Sequence, residues 1–222
     1  MAKIVLFDLD GTFADTAPDL AHALNQTLER HGKPAMALED VRPGVSHGSI
    51  ALIKLGFGID PEDSRFESLR QELLQFYIDN ICLHTTLFPG IEELILQLEK
   101  KDIPWGIVTN KPEWLTNPLM EQLDMTNRAA CIVSGDTTPN SKPHPEPILY
   151  ACRQAGGHDP ADCIYVGDAK RDIEAGNSAG TTTLVAMFGY VVAEDRPEEW
   201  EADGHVDHPS EILGWLEIND KQ

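Results

Sequence analysis

Ile4-Val5-Leu6-Phe7-Asp8-Leu9-Asp10-Gly11-Thr12 begins with four apolar residues and runs into two acids, a glycine and a hydroxyl. A short apolar run closed by polar residues is the pattern of a strand buried on both faces, as in a parallel sheet. Side chains alternate along an extended stretch, so Asp8 and Asp10 project the same way past the strand end. Two carboxylates so close repel unless a proton or a cation is shared. Gly11 permits a sharp turn directly after them. By itself the acidic pair also fits a plain Asx-turn loop.

The pattern recurs at Trp105–Thr109, Ala130–Ser134, Cys163–Gly167, Thr182–Ala186 and, more weakly, His205–Asp207. Helix-length segments lie between these runs. Gly90–Lys101 sets Ile91, Leu94, Ile95 and Leu98 at helical spacing. Glu113–Leu123 follows Pro112, which favours a first helical turn, and Glu146–Gln154 and Arg171–Ala179 repeat the scheme. Strands alternating with helices predict an α/β fold with a doubly wound parallel sheet.

From Thr16 to His84 the alternation stops. Pro18–His31 carries Leu20, Leu24 and Leu28 on one helical face, Ser49–Leu55 is a short helix, and Glu62–Leu83 carries Phe66, Leu69, Leu73, Phe76, Tyr77 and Ile81. The expected organisation is a catalytic core of residues 1–15 and 85–222 with an all-helical insert of residues 16–84. The insert leaves from the end of the first strand, where open α/β sheets bind ligands, so a lid is expected. An ordinary helical subdomain fits the same pattern.

Other strand ends carry complementary chemistry. Gly167-Asp168-Ala169-Lys170-Arg171-Asp172 places two acids one helical turn apart; helix capping would account for one of them. Thr109-Asn110-Lys111-Pro112 offers a hydroxyl and the free N–H groups of a helix start, an anion site. Ser141-Lys142-Pro143 offers an ammonium in a loop stiffened by Pro139, Pro143, Pro145 and Pro147. Singly, Thr109 reads as a cap and Lys142 as a surface lysine. Carboxylates, hydroxyl and lysine at four successive strand ends are hard to assign to chance, and a hard divalent cation such as Mg2+ prefers few carboxylates plus phosphate oxygens.

Composition narrows the partners. The 222 residues are 41% apolar, enough for a core, and carry 17 basic against 37 acidic residues, a net charge of −20. That argues against duplex nucleic acid and against anionic lipid surfaces, and its plain reading is a solvated surface; a small phosphorylated metabolite is the partner that the resemblance described below implies. No apolar run reaches the ~18 residues of a membrane helix, and the first apolar run falls short of the roughly 7–15 residues of a secretory leader. Cys82, Cys131, Cys152 and Cys163 are widely spaced, without a zinc pattern, and read as free thiols. A cytoplasmic protein is expected, monomer or weak homodimer.

This set of residues, in this order, resembles the haloacid dehalogenase-like superfamily over essentially the whole chain. Asp8 to Thr12 look like its first motif, Thr109 its second, Lys142 its third, and Gly167-Asp168 with Asp172 its fourth. The second aspartate, Asp10, looks like the phosphatase version. Phe13 and Ala14 replace the commoner Leu-Val after the first motif and stay apolar. Thr109-Asn110-Lys111-Pro112 and Lys142-Pro143-His144-Pro145 look like the phosphoglycolate phosphatase branch. Gly189-Tyr190, Glu194-Asp195, Trp200 and Val206-Asp207-His208-Pro209 look closer to a bacterial sub-branch acting on N-acetylmuramic acid 6-phosphate.

The resemblance implies a Rossmann-like core with a small helical cap and a Mg2+-dependent phosphatase. It implies Asp8 as nucleophile, Asp10 as acid and base, and Lys142, Thr109 and Asn110 as phosphate holders. Metal ligands are expected from Asp8, Asp168 and the Asp10 carbonyl, with Asp172 orienting Lys142 or a metal-bound water. In the insert, Arg42 to Ser49 reads as a loop. Arg42, Ser46 and His47 are its candidate specificity residues, although a surface Arg42 beside Asp40 fits as well. His144 reads as a rim residue, and Trp105 and Trp114 as packing residues. A sugar phosphomutase retains the same residues. A receiver-type phospho-acceptor module lacks room for residues 16–84. A binding protein with a dead site is disfavoured because no catalytic position is substituted.

Overall fold

The computed structural model describes residues 4–218. Six strands form one sheet: β1 (Ile4–Phe7), β4 (Trp105–Val108), β5 (Cys131–Val133), β6 (Cys163–Gly167), β7 (Thr182–Ala186) and β8 (Gly204–Val206). Their order is β5-β4-β1-β6-β7-β8, and every pairing is parallel. All six coincide with the runs read from the sequence: β6 and β7 have the expected bounds, β1, β4 and β5 lose a residue at one or both ends, and β8 begins and ends one residue earlier. Helices α5 (Ile91–Lys100), α6 (Glu113–Gln122), α7 (Glu146–Gln154), α8 (Lys170–Ala179) and α9 (Ile212–Ile218) flank the sheet, giving the Rossmann-like α/β fold.

Burial explains why β1 is so apolar. All four of its residues are fully buried. Ile4 and Leu6 join Val108, Val133, Ile148, Cys152, Cys163 and Tyr165 in one cluster. Phe7, of opposite parity, meets Phe13, which stacks on Trp105 at 5.3 Å between ring centroids. Chain order reverses at β1, whose neighbours are β4 and β6. This is the switch point at which open sheets bind ligands beyond the carboxyl ends of their strands. Phe7 lies opposite Ile107 and Val166, so Asp8, Thr109 and Asp168 follow within two residues on three adjacent strands.

The chain divides into two compact units, residues 1–14 with 87–222, and residues 15–86. Between β2 (Ala14–Asp15) and β3 (Thr86–Leu87) the second unit is all helix: α1 (Ala17–Arg30), α2 (Leu38–Val45), α3 (Gly48–Phe57) and α4 (Phe66–Asp79). Leu20, Leu24 and Leu28 of α1 and Phe66, Leu69, Leu73 and Tyr77 of α4 are buried, matching the apolar stripes. Helix α2 corrects the sequence reading, because Arg42 to Val45 are helical rather than loop. Pro43 lies inside the helix, where a proline removes a hydrogen bond. Val41 and Val45, one turn apart and both buried, anchor α2 despite it. Trp114 is a second correction: it is 49% exposed at the start of α6, whereas Trp105 packs as expected.

Asp19 closes the helical unit. It is buried in the first turn of α1 and accepts hydrogen bonds from His84 N at 2.9 Å, Thr85 N at 2.9 Å and Thr85 Oγ1 at 2.7 Å. The chain returning from α4 is thereby tied to the start of α1. Removing a buried acceptor leaves its donors unsatisfied, at about 1–3 kcal/mol for each group. Asp19→Ala is expected to destabilise the unit by about 3 kcal/mol. Thermal unfolding should then show a melting temperature several degrees lower, and an unchanged melt would refute the tie.

Candidate active site

At the end of β1, Asp8 is buried, and its Oδ1 accepts from Leu9 N and from Lys142 Nζ, both at 2.8 Å. Lys142 arrives from the loop after β5, and its side chain has no exposed surface. Its three ammonium hydrogens are all committed, to Asp8 Oδ1, the Val108 carbonyl and Tyr165 Oη, each at 2.8 Å. Tyr165 in turn donates to Val108 O at 3.0 Å. Asp172 Oδ1 forms a buried ion pair with the same ammonium at 2.7 Å. Its other oxygen accepts from Ala169 N at 3.0 Å.

Asp168, at the end of β6, is buried as well. Thr12 Oγ1 donates to its Oδ1 and Tyr190 N to its Oδ2, both at 3.1 Å. Carboxylate oxygens of Asp8, Asp168 and Asp172 lie within 4.8 Å of one another. Burial, and then the neighbouring carboxylates Asp8 and Asp172, push Asp168 up to about 8. Burial and Asp172 push Asp8 up to about 6 against the opposing pull of Lys142. Burial also raises the Tyr165 phenol well above its ordinary value, so it remains a neutral donor.

This donor set fits a hard divalent cation. All of its ligand atoms are oxygens, as Mg2+ prefers. The carboxylates of Asp8, Asp168 and Asp172 outnumber the one ammonium in contact with them. The upward shifts of Asp8 and Asp168 record the cost of ionising neighbouring buried carboxylates without added positive charge.

Asp10 is oriented separately. Its carboxylate lies outside the three-acid cluster and pairs with Lys111 Nζ at 2.9 Å. Thr109 is buried, and its hydroxyl oxygen accepts from Lys111 N at 3.1 Å, which leaves the hydroxyl hydrogen to donate. Asn110 faces Lys142 with its side chain: Nδ2 donates to Lys142 O at 2.8 Å and Oδ1 accepts from Lys142 N at 2.9 Å. Its amide is therefore a clamp on the lysine's own peptide. His144 is exposed on the rim, and its Nδ1 accepts from Glu146 N.

The residues read from the cap have different surroundings. Arg42 does not sit as a surface arginine beside Asp40; both ends of its guanidinium fork hold Asp15, at 2.8 and 3.0 Å. Ser46 ends α2, and His47 is exposed ahead of α3. Sequence reading gave no role to Tyr165, Thr12, Tyr190 or Lys111. A signal existed for Tyr165, the one aromatic in an otherwise aliphatic strand, because a buried phenol needs a partner. Tyr190 acts through its main-chain N–H, which no side-chain pattern reveals.

Comparison with known proteins agrees with this geometry. A family model described as haloacid dehalogenase-like hydrolase matches residues 5–186. An N-acetylmuramic acid 6-phosphate phosphatase of Pseudomonas putida is 43% identical over 210 residues, covering 95% of this chain and 94% of its own. A phosphoglycolate phosphatase of Xanthomonas campestris is 40% identical with the same coverage of both chains. Among solved structures, a predicted phosphoglycolate phosphatase from Haemophilus somnus superposes with a TM-score of 0.84 at 25% identity, covering 97% of this chain and 98% of that one. The motif resemblance, a family match over most of the chain and relatives this similar along their whole length agree, and the chain belongs to the haloacid dehalogenase-like hydrolase family, as a phosphatase.

Proposed function

We propose that this phosphatase is Mg2+-dependent and hydrolyses a small phosphate monoester through a phosphoryl-enzyme on Asp8. The observation that carries this reading is the buried Lys142 ammonium between Asp8 and Asp172, beside Asp168. Asp8 and Asp168 would hold the cation, with the Asp10 carbonyl as the family resemblance implies. When bound, the cation offsets the charges of carboxylates and phosphate, so that one anion can attack another.

The chain's own groups divide the remaining work. Asp8, fixed by Leu9 N and Lys142, forms the bond to phosphorus while the ester P–O bond breaks. Asp10 gives its proton to the departing alkoxide. It then takes a proton from the water that attacks the phosphoryl-aspartate, releasing inorganic phosphate and restoring Asp8. Thr109 donates its hydroxyl hydrogen to a non-bridging oxygen, and Asn110 contributes a main-chain N–H. Lys142 supplies charge, since each of its hydrogens already has an acceptor that phosphate would have to displace. Asp172 holds Lys142 or a water on the cation.

For the substrate we propose N-acetylmuramic acid 6-phosphate, supported by the 43% identity to the Pseudomonas putida enzyme and by the tail residues from Gly189 to Pro209. Phosphoglycolate is the second reading, supported by the 40% identical relatives. A cytoplasmic site of action accords with either substrate.

In a phosphate-release panel of N-acetylmuramic acid 6-phosphate, 2-phosphoglycolate, hexose phosphates and nucleotides, the first should give the highest kcat/KM. A higher value for phosphoglycolate would move the chain to the second reading. Sugar-phosphate isomerisation with little phosphate release would mark it as a mutase.

Asp8→Asn should lower turnover by about 10³-fold or more while leaving the melting temperature close to that of the parent. Near-normal hydrolysis by that variant would remove Asp8 as nucleophile.

Metal binding has its own readout. Asp8 and Asp168 have raised pKa values in the folded chain, so the native state holds their protons more tightly than the unfolded state. Their contribution to stability is present at low pH and is lost as pH rises through about 6 and then about 8. Mg2+ binds the deprotonated carboxylates and reverses that loss. The rise in melting temperature on adding Mg2+ should therefore be small at pH 5 and larger at pH 8. An increment independent of pH, or none at pH 8, would overturn the assignment of these carboxylates.

A further inference from the structure

We propose that Lys111 is the positioning residue of Asp10, holding that carboxylate on the leaving-group side of the reaction and balancing its charge when its proton departs. This rests on the reading of Asp10 as acid and base given above.

Lys111 Nζ stands 2.9 Å from Asp10 Oδ1, with the two side chains 6% and 17% exposed. A surface pair such as Lys54–Asp60, at 65% and 58%, is screened by water and contributes little. A buried ammonium instead depends on its partner, since its desolvation costs several kcal/mol by order of magnitude.

The placement is built into the loop. Lys111 N donates to Thr109 Oγ1 at 3.1 Å, and Lys111 O accepts from Gly135 N at 2.8 Å and from Thr116 Oγ1 at 3.1 Å. The preceding Asn110 is clamped to the Lys142 peptide. With main chain fixed on both sides, the Lys111 side chain starts from a defined point and ends on Asp10. The same loop therefore aims Thr109, Lys142 through Asn110, and Asp10 through Lys111.

The chemistry follows from charge. As the ester P–O bond breaks, the Asp10 proton passes to the departing oxygen and a carboxylate remains. An ammonium in contact with that carboxylate stabilises the transition state of this transfer. Its benefit is confined to leaving groups that need a proton. A p-nitrophenolate departs without one, whereas an alkoxide does not. A lysine that bound phosphate would instead act on both kinds of ester alike.

The test compares kcat/KM, which reports the phosphoryl-transfer step, for p-nitrophenyl phosphate and for the best alkyl phosphate of the panel. Lys111→Met and Lys111→Gln should lower the alkyl value about tenfold more than the aryl value, and Lys111→Arg should restore part of the difference. Asp10→Asn serves as the reference and should show the same selectivity more strongly. Equal losses for both esters in the Lys111 variants, or no loss, with Asp10→Asn still selective, would overturn the role of Lys111 alone. Equal losses in Asp10→Asn would overturn the acid–base reading of Asp10 and this inference with it. Melting temperatures of the variants identify any loss caused by misfolding, in which case Lys111→Arg decides: selectivity like that of the parent supports the inference, and equal losses for both esters overturn it.

Discussion

The Lys142 ammonium is enclosed by protein on all sides and makes its contacts with Asp8, Asp172, the Val108 carbonyl and the Tyr165 hydroxyl. A charge buried this deeply persists only with partners, and these come from β1, β4, β6 and α8. The pair is therefore both the centre of the site and a seam joining the strand ends. It is also incomplete as electrostatics. Three buried carboxylates face one ammonium in contact, and the more distant Arg171 offsets only part of the excess. The raised pKa of Asp168 comes first from its burial and then from the neighbouring Asp8 and Asp172 carboxylates. A protein that wanted only stability would not leave it so. Retaining the extra acids makes sense when a cation and a phosphate are to be bound there.

Two glycines set how closely the acids approach. Gly11 has φ +92°, and a Cβ on it would lie 2.2 Å from Asp168 Oδ2. A Cβ on Gly167 would lie 2.3 Å from that of Asp172. The turn after β1 and the end of β6 thus pack with bare backbone against the carboxylates. Any side chain at these positions would push Asp168 or Asp172 away from Asp8. Parallel strand order brings the ends together, and the glycines remove the last few ångströms.

Strand ends were legible because they obey local rules. Apolar runs bounded by polar residues gave all six strands, and Asp8 and Asp168 stand at the first positions past β1 and β6. What was not legible depended on contacts distant in sequence. Arg42 to Ser49 read as a loop, whereas the burial of Val41 and Val45 holds α2 together with Pro43 inside it. Arg42 looked free for a substrate carboxylate because nothing in the sequence indicates that Asp15 reaches it. The sequence offered Asn110 as a donor without indicating that its side-chain amide is taken up by the Lys142 main chain. Exposure of Trp114 has no local signature in an otherwise amphipathic helix.

The loop after β4 shows why such contacts matter more than the motif residues alone. Thr109, Asn110 and Lys111 are consecutive, but their side chains serve three different partners: the Lys111 N–H, the Lys142 peptide and the Asp10 carboxylate. Such divergence needs a main chain held against rotation. Gly135 N and Thr116 Oγ1 supply that restraint at Lys111 O, and Val133 O supplies it at Thr109 N. The restraint comes from β5, the loop after it and α6, elements that contribute no charge of their own at these points. Polar side chains on one short loop are thus aimed by neutral contacts that its neighbours make to the loop's main chain. Charge selects what binds, and backbone contacts decide where it meets the reacting atoms.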